Sequence, residues 1–241
     1  MSAEFKLTPP RALAVIATFN EAGGIREIVT KIREQGCEVL VVDDNSPDGT
    51  GDIVDAMLKE DAGVYAIHRS GKLGLGSACI EGFRFGLAHG YEWVIEMDAD
   101  FSHDPVYLPA ILKEAREHPG AIVIGSRYVQ GGRISGWGWH RRLLSLGASW
   151  YLRSLLRVGI RDYTSGYRCY SRSALLKIDL DRVVAQGYAF LPELAYRAAA
   201  SGVPMREVPI HFRDRVVGES KVGLGEVVQS LLVPWRIRLG F

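Results

Sequence analysis

The chain has 241 residues, 47% of them hydrophobic and 24% charged, with a formal net charge of +1. That length suits one large α/β domain with a buried core, and the composition excludes a largely disordered chain. The near-neutral balance excludes a global field for nucleic acid, so no nucleic-acid partner is expected and any electrostatic recognition rests on local clusters.

Apolar runs alternate with helix-like segments. Residues 13–17 read as a buried strand, followed by Asn20-Glu21 and a helix over about 22–35. Residues 38–42 read as a second buried strand, closed by Asp43-Asp44 and the turn residues Asn45-Ser46-Pro47-Asp48-Gly49. A helix over about 51–61, a strand over 64–67 and a helix over about 75–89 come next. A fourth strand over 93–97 runs into Asp98-Ala99-Asp100, then a helix over about 105–117 and a strand over 121–124. Continuous apolar strands separated by helices predict a mostly parallel sheet covered on both faces. In the second half, residues 131–138 read as a mobile loop, 141–157 and 191–201 as helices, and 205–213 as one strand.

Three cysteines, Cys37, Cys79 and Cys169, form no C-x-x-C pair, which favours reduced thiols in a cytosolic protein over a zinc ribbon. Residues 1–10 lack the apolar stretch of a secretory signal, and no run of about 18 apolar residues occurs. The chain is therefore expected not to span a bilayer, although it can lie on one.

Acidic residues stand just past three strand ends: Glu21, Asp43 with Asp44, and Asp98 with Asp100. In open α/β sheets the ligand crevice lies at the carboxyl ends of the strands. An Asp-x-Asp alone fits a solvated turn or a helix cap as well as a metal site. A buried strand before it and acids at neighbouring strand ends favour Asp98 and Asp100 as ligands of Mg2+ or Mn2+, hard cations that share oxygen ligands with phosphates. Asp44 suits a base N–H or a ribose hydroxyl equally with turn capping. Residues 69–76 fail both the dinucleotide fingerprint, because Cys79 stands at its last position, and the Walker pattern, because Leu73 follows Lys72. They read as a glycine-rich loop opening a helix, with or without an anion on its N–H groups. Arg127, Arg215 and Lys221 are candidate phosphate cations, each of which also fits a solvated surface charge. His103 reads as a cap rather than a phosphate contact.

Along the helix over 141–157, Arg142, Arg153 and Arg157 share a face, with Arg161 beyond, beside Leu143, Leu144, Leu146 and Trp150. This suits a membrane surface with anionic head groups, or a core-packed helix with a basic solvated face. Leu224, Val227, Val228, Leu231, Leu232 and Trp235 form a second such stripe, which Pro234 ends.

The segments Ala17-Thr18-Phe19-Asn20-Glu21, Val41-Val42-Asp43-Asp44-Asn45-Ser46-Pro47-Asp48-Gly49-Thr50, Met97-Asp98-Ala99-Asp100-Phe101-Ser102-His103 and Gly218-Glu219-Ser220-Lys221 together resemble glycosyltransferase family 2, and within it the dolichol-phosphate (polyprenol-phosphate) mannosyltransferases. The resemblance implies a single GT-A catalytic domain, with a nucleotide-sugar half over about 12–130 and an acceptor half over about 131–241. It implies transfer of mannose from GDP-mannose to a polyprenyl phosphate on the cytoplasmic face of a membrane. Ala17, Phe19, Glu21, Val42 and Asp44 would then contact the nucleoside. Asp98, Ala99 and Asp100 would contact the diphosphate, with Asp100 on the metal, and Arg127, Arg215 and Lys221 would hold donor phosphates. Arg142 is our candidate for the acceptor phosphate. Two positions depart from the pattern: Ala17 replaces a usual Pro, and Ser102 stands where some relatives place a metal-binding Gln. Many relatives carry transmembrane helices after this domain, so a separate membrane-anchoring protein is an expected partner. Rival readings are a family 2 enzyme with a sugar-hydroxyl acceptor, which needs a general base, and a nucleotide-sugar-binding regulatory protein without turnover.

Overall fold

The computed structural model describes residues 11–183 and 187–214, together with Trp235 and Arg238. Its strands are β1 (Ala12–Thr18), β2 (Glu38–Asp43), β3 (Val64–His68), β4 (Trp93–Glu96), β5 (Ile122–Ser126), β6 (Arg133–Ser135), β7 (Arg168–Ser171), β8 (Met205–Pro209) and β9 (His211–Arg213). Its helices are α1 (Ile25–Glu34), α2 (Thr50–Glu60), α3 (Leu75–Ala88), α4 (Leu108–Glu117), α5 (Trp139–Leu156), α6 (Arg172–Lys177) and α7 (Phe190–Ala200).

Seven strands form one sheet in the order β3-β2-β1-β4-β7-β5-β8. All neighbours are parallel except β7, which runs antiparallel between β4 and β5. Both faces are buried, so successive strand residues feed opposite cores. Leu13, Val15, Leu40 and Val42 pack with Phe83 of α3 and Leu194 of α7. Ala14, Ile16, Val39 and Val41 pack with Ile28 of α1, Val54 of α2 and Ile111 of α4. That two-sided burial is why these strands read as unbroken apolar runs. On α3 the face against the sheet carries Gly82 and Gly86, where an added Cβ would overlap the side chains of Val15 and Val94. The helix thus lies close against β1 and β4 because it has no side chain there.

The strand order reverses between β1 and β4: β2 and β3 lie to one side of β1, and β4 to the other. This is the switch point at which ligands enter such sheets. Asp98-Ala99-Asp100 follows β4, at that point.

Three expectations need correction. The strand expected over 205–213 is two strands in different sheets, parted at Ile210, whose N–H bonds the Ser126 carbonyl at 3.1 Å. The loop expected over 131–138 contains β6, which pairs with β9 in a small parallel sheet. The helix over 139–156 stops at Arg157, held in the left-handed region at φ 53, so Arg161 does not continue the arginine stripe. Arg215, Lys221 and the stripe from Leu224 to Leu232 lie outside the described residues.

Candidate active site

The loops after β1 and β2 are stitched together by short polar side chains. Thr18 donates to Asp43 Oδ1 at 2.8 Å, and Asp43 also accepts the Ser46 N–H at 3.0 Å. Across the gap, the Asn20, Glu21 and Ala22 N–H groups reach Ser46 Oγ, Thr50 Oγ1 and Asp48 Oδ2, each at 3.0 Å. Asp43 is thus the turn-forming acid of its pair. Asn20 (φ 64), Asn45 (φ 56) and Phe101 (φ 61) put one left-handed residue just past β1, β2 and β4 alike. Asn tolerates that region, whereas Phe pays strain there, and such strain gathers at functional sites.

Asp44 does something different. Its carboxylate ion-pairs with Arg69 Nη1 at 2.7 Å and accepts the Gly74 N–H at 2.9 Å, so it holds both ends of the glycine-rich loop. Arg69 also donates to Ser77 Oγ at 2.6 Å. The Gly74 N–H, one candidate for an anion, is therefore already engaged. Phe19 is half-buried, and the Lys72 ammonium lies over its ring, 4.3 Å from the centroid.

In the Asp98-Ala99-Asp100 turn, Asp100 is buried and its Oδ1 accepts the Ser102 N–H at 3.0 Å, which fixes one carboxylate. The Asp98 side chain is 41% exposed and faces solvent. The Asp98 N–H donates to His103 Nδ1 at 3.0 Å. That contact ties the ring to the backbone of the turn. Asp98 Oδ2 approaches the same nitrogen to 3.5 Å. His103 is buried, stacked on Tyr167 with Phe212 edge-on, and it caps the turn as the sequence suggested. Beneath lies Glu96, where burial pushes the carboxyl up to about 7 against the opposing Arg168 charge and Tyr170 hydroxyl. Two hard carboxylates from one turn, one rigid and one open, fit a divalent cation. Among the described residues no third His, Cys, Asp or Glu completes a cage. That suits a cation which fills its remaining positions with phosphate oxygens and water.

Arg127 also meets Phe212. Its Nε and Nη2 donate to Asp162 at 2.8 and 2.6 Å, and Nη2 also to Thr164 at 2.6 Å. Burial alone would push the Asp162 carboxyl up, but the Arg127 hydrogen bonds and charge outweigh it and hold it below the usual carboxylate range. The Arg127 guanidinium also lies 5.2 Å from the Phe212 ring and 5.4 Å from the Tyr128 and Trp137 rings. It lines an open cavity of ≈ 440 Å³ with Tyr128, Ile134, Trp139, Arg142 and Leu146. Arg142 Nη2 donates to the Ile134 carbonyl at 3.2 Å, at the edge of this cavity.

The fold therefore brings Phe19, Glu21, Asp44, Asp98, Ala99, Asp100 and Ser102 to the same end of the sheet. Ala17 is half-buried within β1, and Val42 is wholly buried among core residues, so its side chain does not face a cleft. Arg127 is matched in charge by Asp162, and with Arg142 it belongs to the neighbouring cavity. Three residues were not singled out from the sequence: Arg69, Asp162 and Arg168. Arg168 is fully buried and donates to the Ser165, Leu191 and Tyr163 carbonyls at 2.8–2.9 Å. Asp162 and Arg168 bracket the run Tyr163-Thr164-Ser165-Gly166-Tyr167, and a charge at each end of a polar run was the available signal.

The chain is also similar to known proteins. Residues 13–179 match the family described as glycosyl transferase family 2. The chain is 43% identical over 224 residues to the undecaprenyl-phosphate mannosyltransferase of Micrococcus luteus, covering 92% of this chain and 91% of that protein. It is 43% identical over 233 residues to the polyprenol monophosphomannose synthase of Mycolicibacterium smegmatis, covering 95% and 88%. Among solved structures, glucosyl-3-phosphoglycerate synthase from Mycobacterium tuberculosis, in complex with Mn2+, UDP-glucose and phosphoglyceric acid, superposes with a TM-score of 0.67 at 18% identity, covering 97% of this chain and 81% of that one. A mannosyltransferase from Pyrobaculum calidifontis, in complex with GDP-Man and Mn2+, gives 0.63 at 18% identity, covering 98% and 66%. At such identities the structural likeness speaks for the fold, a GT-A sheet flanked by helices. A family match over residues 13–179 and relatives 43% identical over at least 92% of its length show that the chain belongs to glycosyl transferase family 2.

Proposed function

We propose that this chain transfers mannose from GDP-mannose to a polyprenyl monophosphate, with inversion, while resting on the cytoplasmic face of a membrane. The observation that carries the reading is the Asp98-Ala99-Asp100 turn at the switch point, with a cavity lined by Arg127 and Arg142, Arg127 lying 5.2 Å from the Phe212 ring that His103 also meets. The activities of the 43% identical relatives, an undecaprenyl-phosphate mannosyltransferase and a polyprenol monophosphomannose synthase, support the lipid acceptor and the mannosyl group, and the two Mn2+ complexes of like fold support a divalent cation.

When bound by Asp98 and Asp100, Mg2+ or Mn2+ would neutralise the charge that develops on the diphosphate leaving group. Glu21, Phe19 and Asp44 flank the nucleoside, and Asp44 retains lone pairs beyond those given to Arg69 and Gly74. Arg142 holds the acceptor phosphate beside Arg127, and Arg215 and Lys221 bind the donor phosphates. A phosphate monoester has its second pKa near about 6, so the acceptor is already largely ionised at neutral pH. No strong base is then required, which agrees with a His103 committed to the turn.

The test is to incubate the purified protein with Mn2+, a panel of nucleotide sugars and a short polyprenyl phosphate, and to read the lipid product by mass. GDP-mannose is expected to give polyprenyl-phosphate mannose. EDTA should abolish the reaction, and Asp100→Ala should lower the rate by roughly 100-fold or more. Transfer to sugar hydroxyls with the lipid phosphate inert, or GDP-mannose bound and never consumed, would overturn the proposal.

A further inference from the structure

We propose that Lys72 reads the nucleobase of the donor: its ammonium, carried over the Phe19 ring by a loop fastened to Asp44, donates to the keto oxygen of guanine or uracil. This rests on reading the chain as a nucleotide-sugar transferase and adds a specificity residue to it.

The argument begins with the loop. The Arg69 N–H continues the β2–β3 ladder by bonding the Asp43 carbonyl at 2.8 Å. The Arg69 guanidinium and the Gly74 N–H then meet the two oxygens of the Asp44 carboxylate at 2.7 and 2.9 Å. One buried acid thus pins both ends of the segment 69–74, and Gly74, at φ +96, supplies the left-handed residue that turns it into α3. Lys72 stands at the apex of this closed loop. It is exposed, no ion pair among the described residues neutralises it, and its ammonium lies 4.3 Å from the Phe19 centroid. The charge of Asp44 is answered by Arg69, so the Lys72 charge remains for a ligand.

The topology says which part of a ligand that is. In the order β3-β2-β1-β4, the loops after β3 and β1 meet across the end of β2, whereas the Asp98-Ala99-Asp100 turn follows β4 on the far side of β1. Neighbouring strands are about 4.8 Å apart, so β2 and β4 stand about 10 Å apart. That is the order of the span from a base to its diphosphate. With the diphosphate at β4, the base falls at Phe19, where the exposed Lys72 side chain swings off the ring to meet its edge.

The chemistry of the pair then decides selectivity. An aromatic face stacks every base and discriminates weakly. An ammonium has three donors and no acceptor. It favours an edge presenting oxygen, guanine O6 with N7 or uracil O4, and opposes the amino groups of adenine and cytosine. Stacking on Phe19 supplies affinity, and Lys72 sorts keto from amino bases.

The experiment measures binding of GDP, ADP, UDP and CDP, each with Mn2+, to the full chain by calorimetry, for wild type, Lys72→Met and Lys72→Arg. Lys72 is exposed, and melting temperatures measured beside the binding separate misfolding from a lost contact. Wild type should prefer GDP over ADP, or UDP over CDP. Lys72→Met should weaken the keto-base nucleotide about tenfold and leave the amino-base nucleotide unchanged, and Lys72→Arg should keep the preference. Equal weakening of all four nucleotides, as a purely phosphate-directed or structural lysine would give, overturns the proposal, as does no change. If wild type binds none of the four, the nucleotide-sugar reading itself fails. Preferential binding that survives Lys72→Met refutes Lys72 alone.

Discussion

Asp98 depends on a neighbour five residues on. Its N–H is accepted by His103, a ring clamped between Tyr167 and Phe212 that has little freedom to turn. Groups that orient a metal ligand typically change affinity by about 10- to 100-fold when removed. His103→Ala should therefore raise the Mn2+ concentration needed for half-maximal transfer by about tenfold or more. His103→Asn should recover part of the loss, because its amide oxygen can accept the same N–H. A Mn2+ titration of the transfer rate decides it, and an unchanged midpoint in His103→Ala would remove the positioning role. The acids of this turn were legible because they follow an apolar strand and repeat the placement of Asp43 and Asp44. Arg69 and Asp162 were not, because their meaning lies in partners distant in sequence. Arg69 reads as a surface cation until Asp44 is brought against it, and Asp162 as a turn residue until Arg127 is.

Strands with both faces buried announce themselves, and β1, β2, β4 and β5 do so. β7 does not, because Arg168 sits inside it, and only three carbonyls gathered from elsewhere make that arginine tolerable in the core. The split between β8 and β9 was hidden for a related reason: Ile210 is apolar and buried in either case, and only pairing partners separate the two sheets. At the opposite end of the sheet from the candidate site, the strands are fastened by one acid. Glu38, opening β2, accepts from Arg11 before β1 at 2.7 and 2.6 Å, from Tyr65 of β3 at 2.9 Å and from Tyr91 before β4 at 2.7 Å. The Arg11 hydrogen bond, outweighing burial and helped by both tyrosines, lowers the Glu38 carboxyl from 4.5 to about 2. A depressed carboxyl contributes stability that is complete above its unfolded value, near 4.5, and is lost as pH falls toward 2. Arg11 is 42% exposed, so solvent screening reduces the contribution to about 1–2 kcal/mol. Urea denaturation should find Glu38→Gln less stable than wild type by that amount at pH 7, with the deficit shrinking at pH 3.5. An equal deficit at both pH values would show that shape, not charge, holds the strand ends.

For the molecule as a whole, the exposed large apolar side chains are not scattered evenly. Trp139, Leu143, Leu144, Leu146 and Trp150 all lie on α5, and Trp139 and Trp150 are 75% and 73% exposed. Arg142 and Arg153 stand among them, and Trp139, Leu143 and Leu146 also line the cavity beside Phe212. No helix among the described residues is long and apolar enough to cross a membrane. The net charge of +1 gives no long-range attraction to one either, so any contact made by the described residues would rest on this local patch. A large apolar face with arginines at its edge matches an interface of acyl chains and anionic head groups. The same surface would admit a lipid phosphate to the cavity without taking its chain through water. Burying one large apolar side chain contributes about 1.5–3 kcal/mol, so Trp150→Glu should weaken binding to vesicles of phosphatidylcholine and phosphatidylglycerol by roughly tenfold or more. Transfer to a long-chain polyprenyl phosphate in those vesicles should fall with it, while transfer to a short, water-soluble acceptor should persist. Raising the salt should weaken wild-type binding further, because the arginine contribution is screened and the apolar one is not. Vesicle sedimentation read beside the two transfer rates separates these effects. Equal loss with both acceptors would place Trp150 in the fold or the chemistry, and unchanged sedimentation would mean that α5 faces something other than a bilayer.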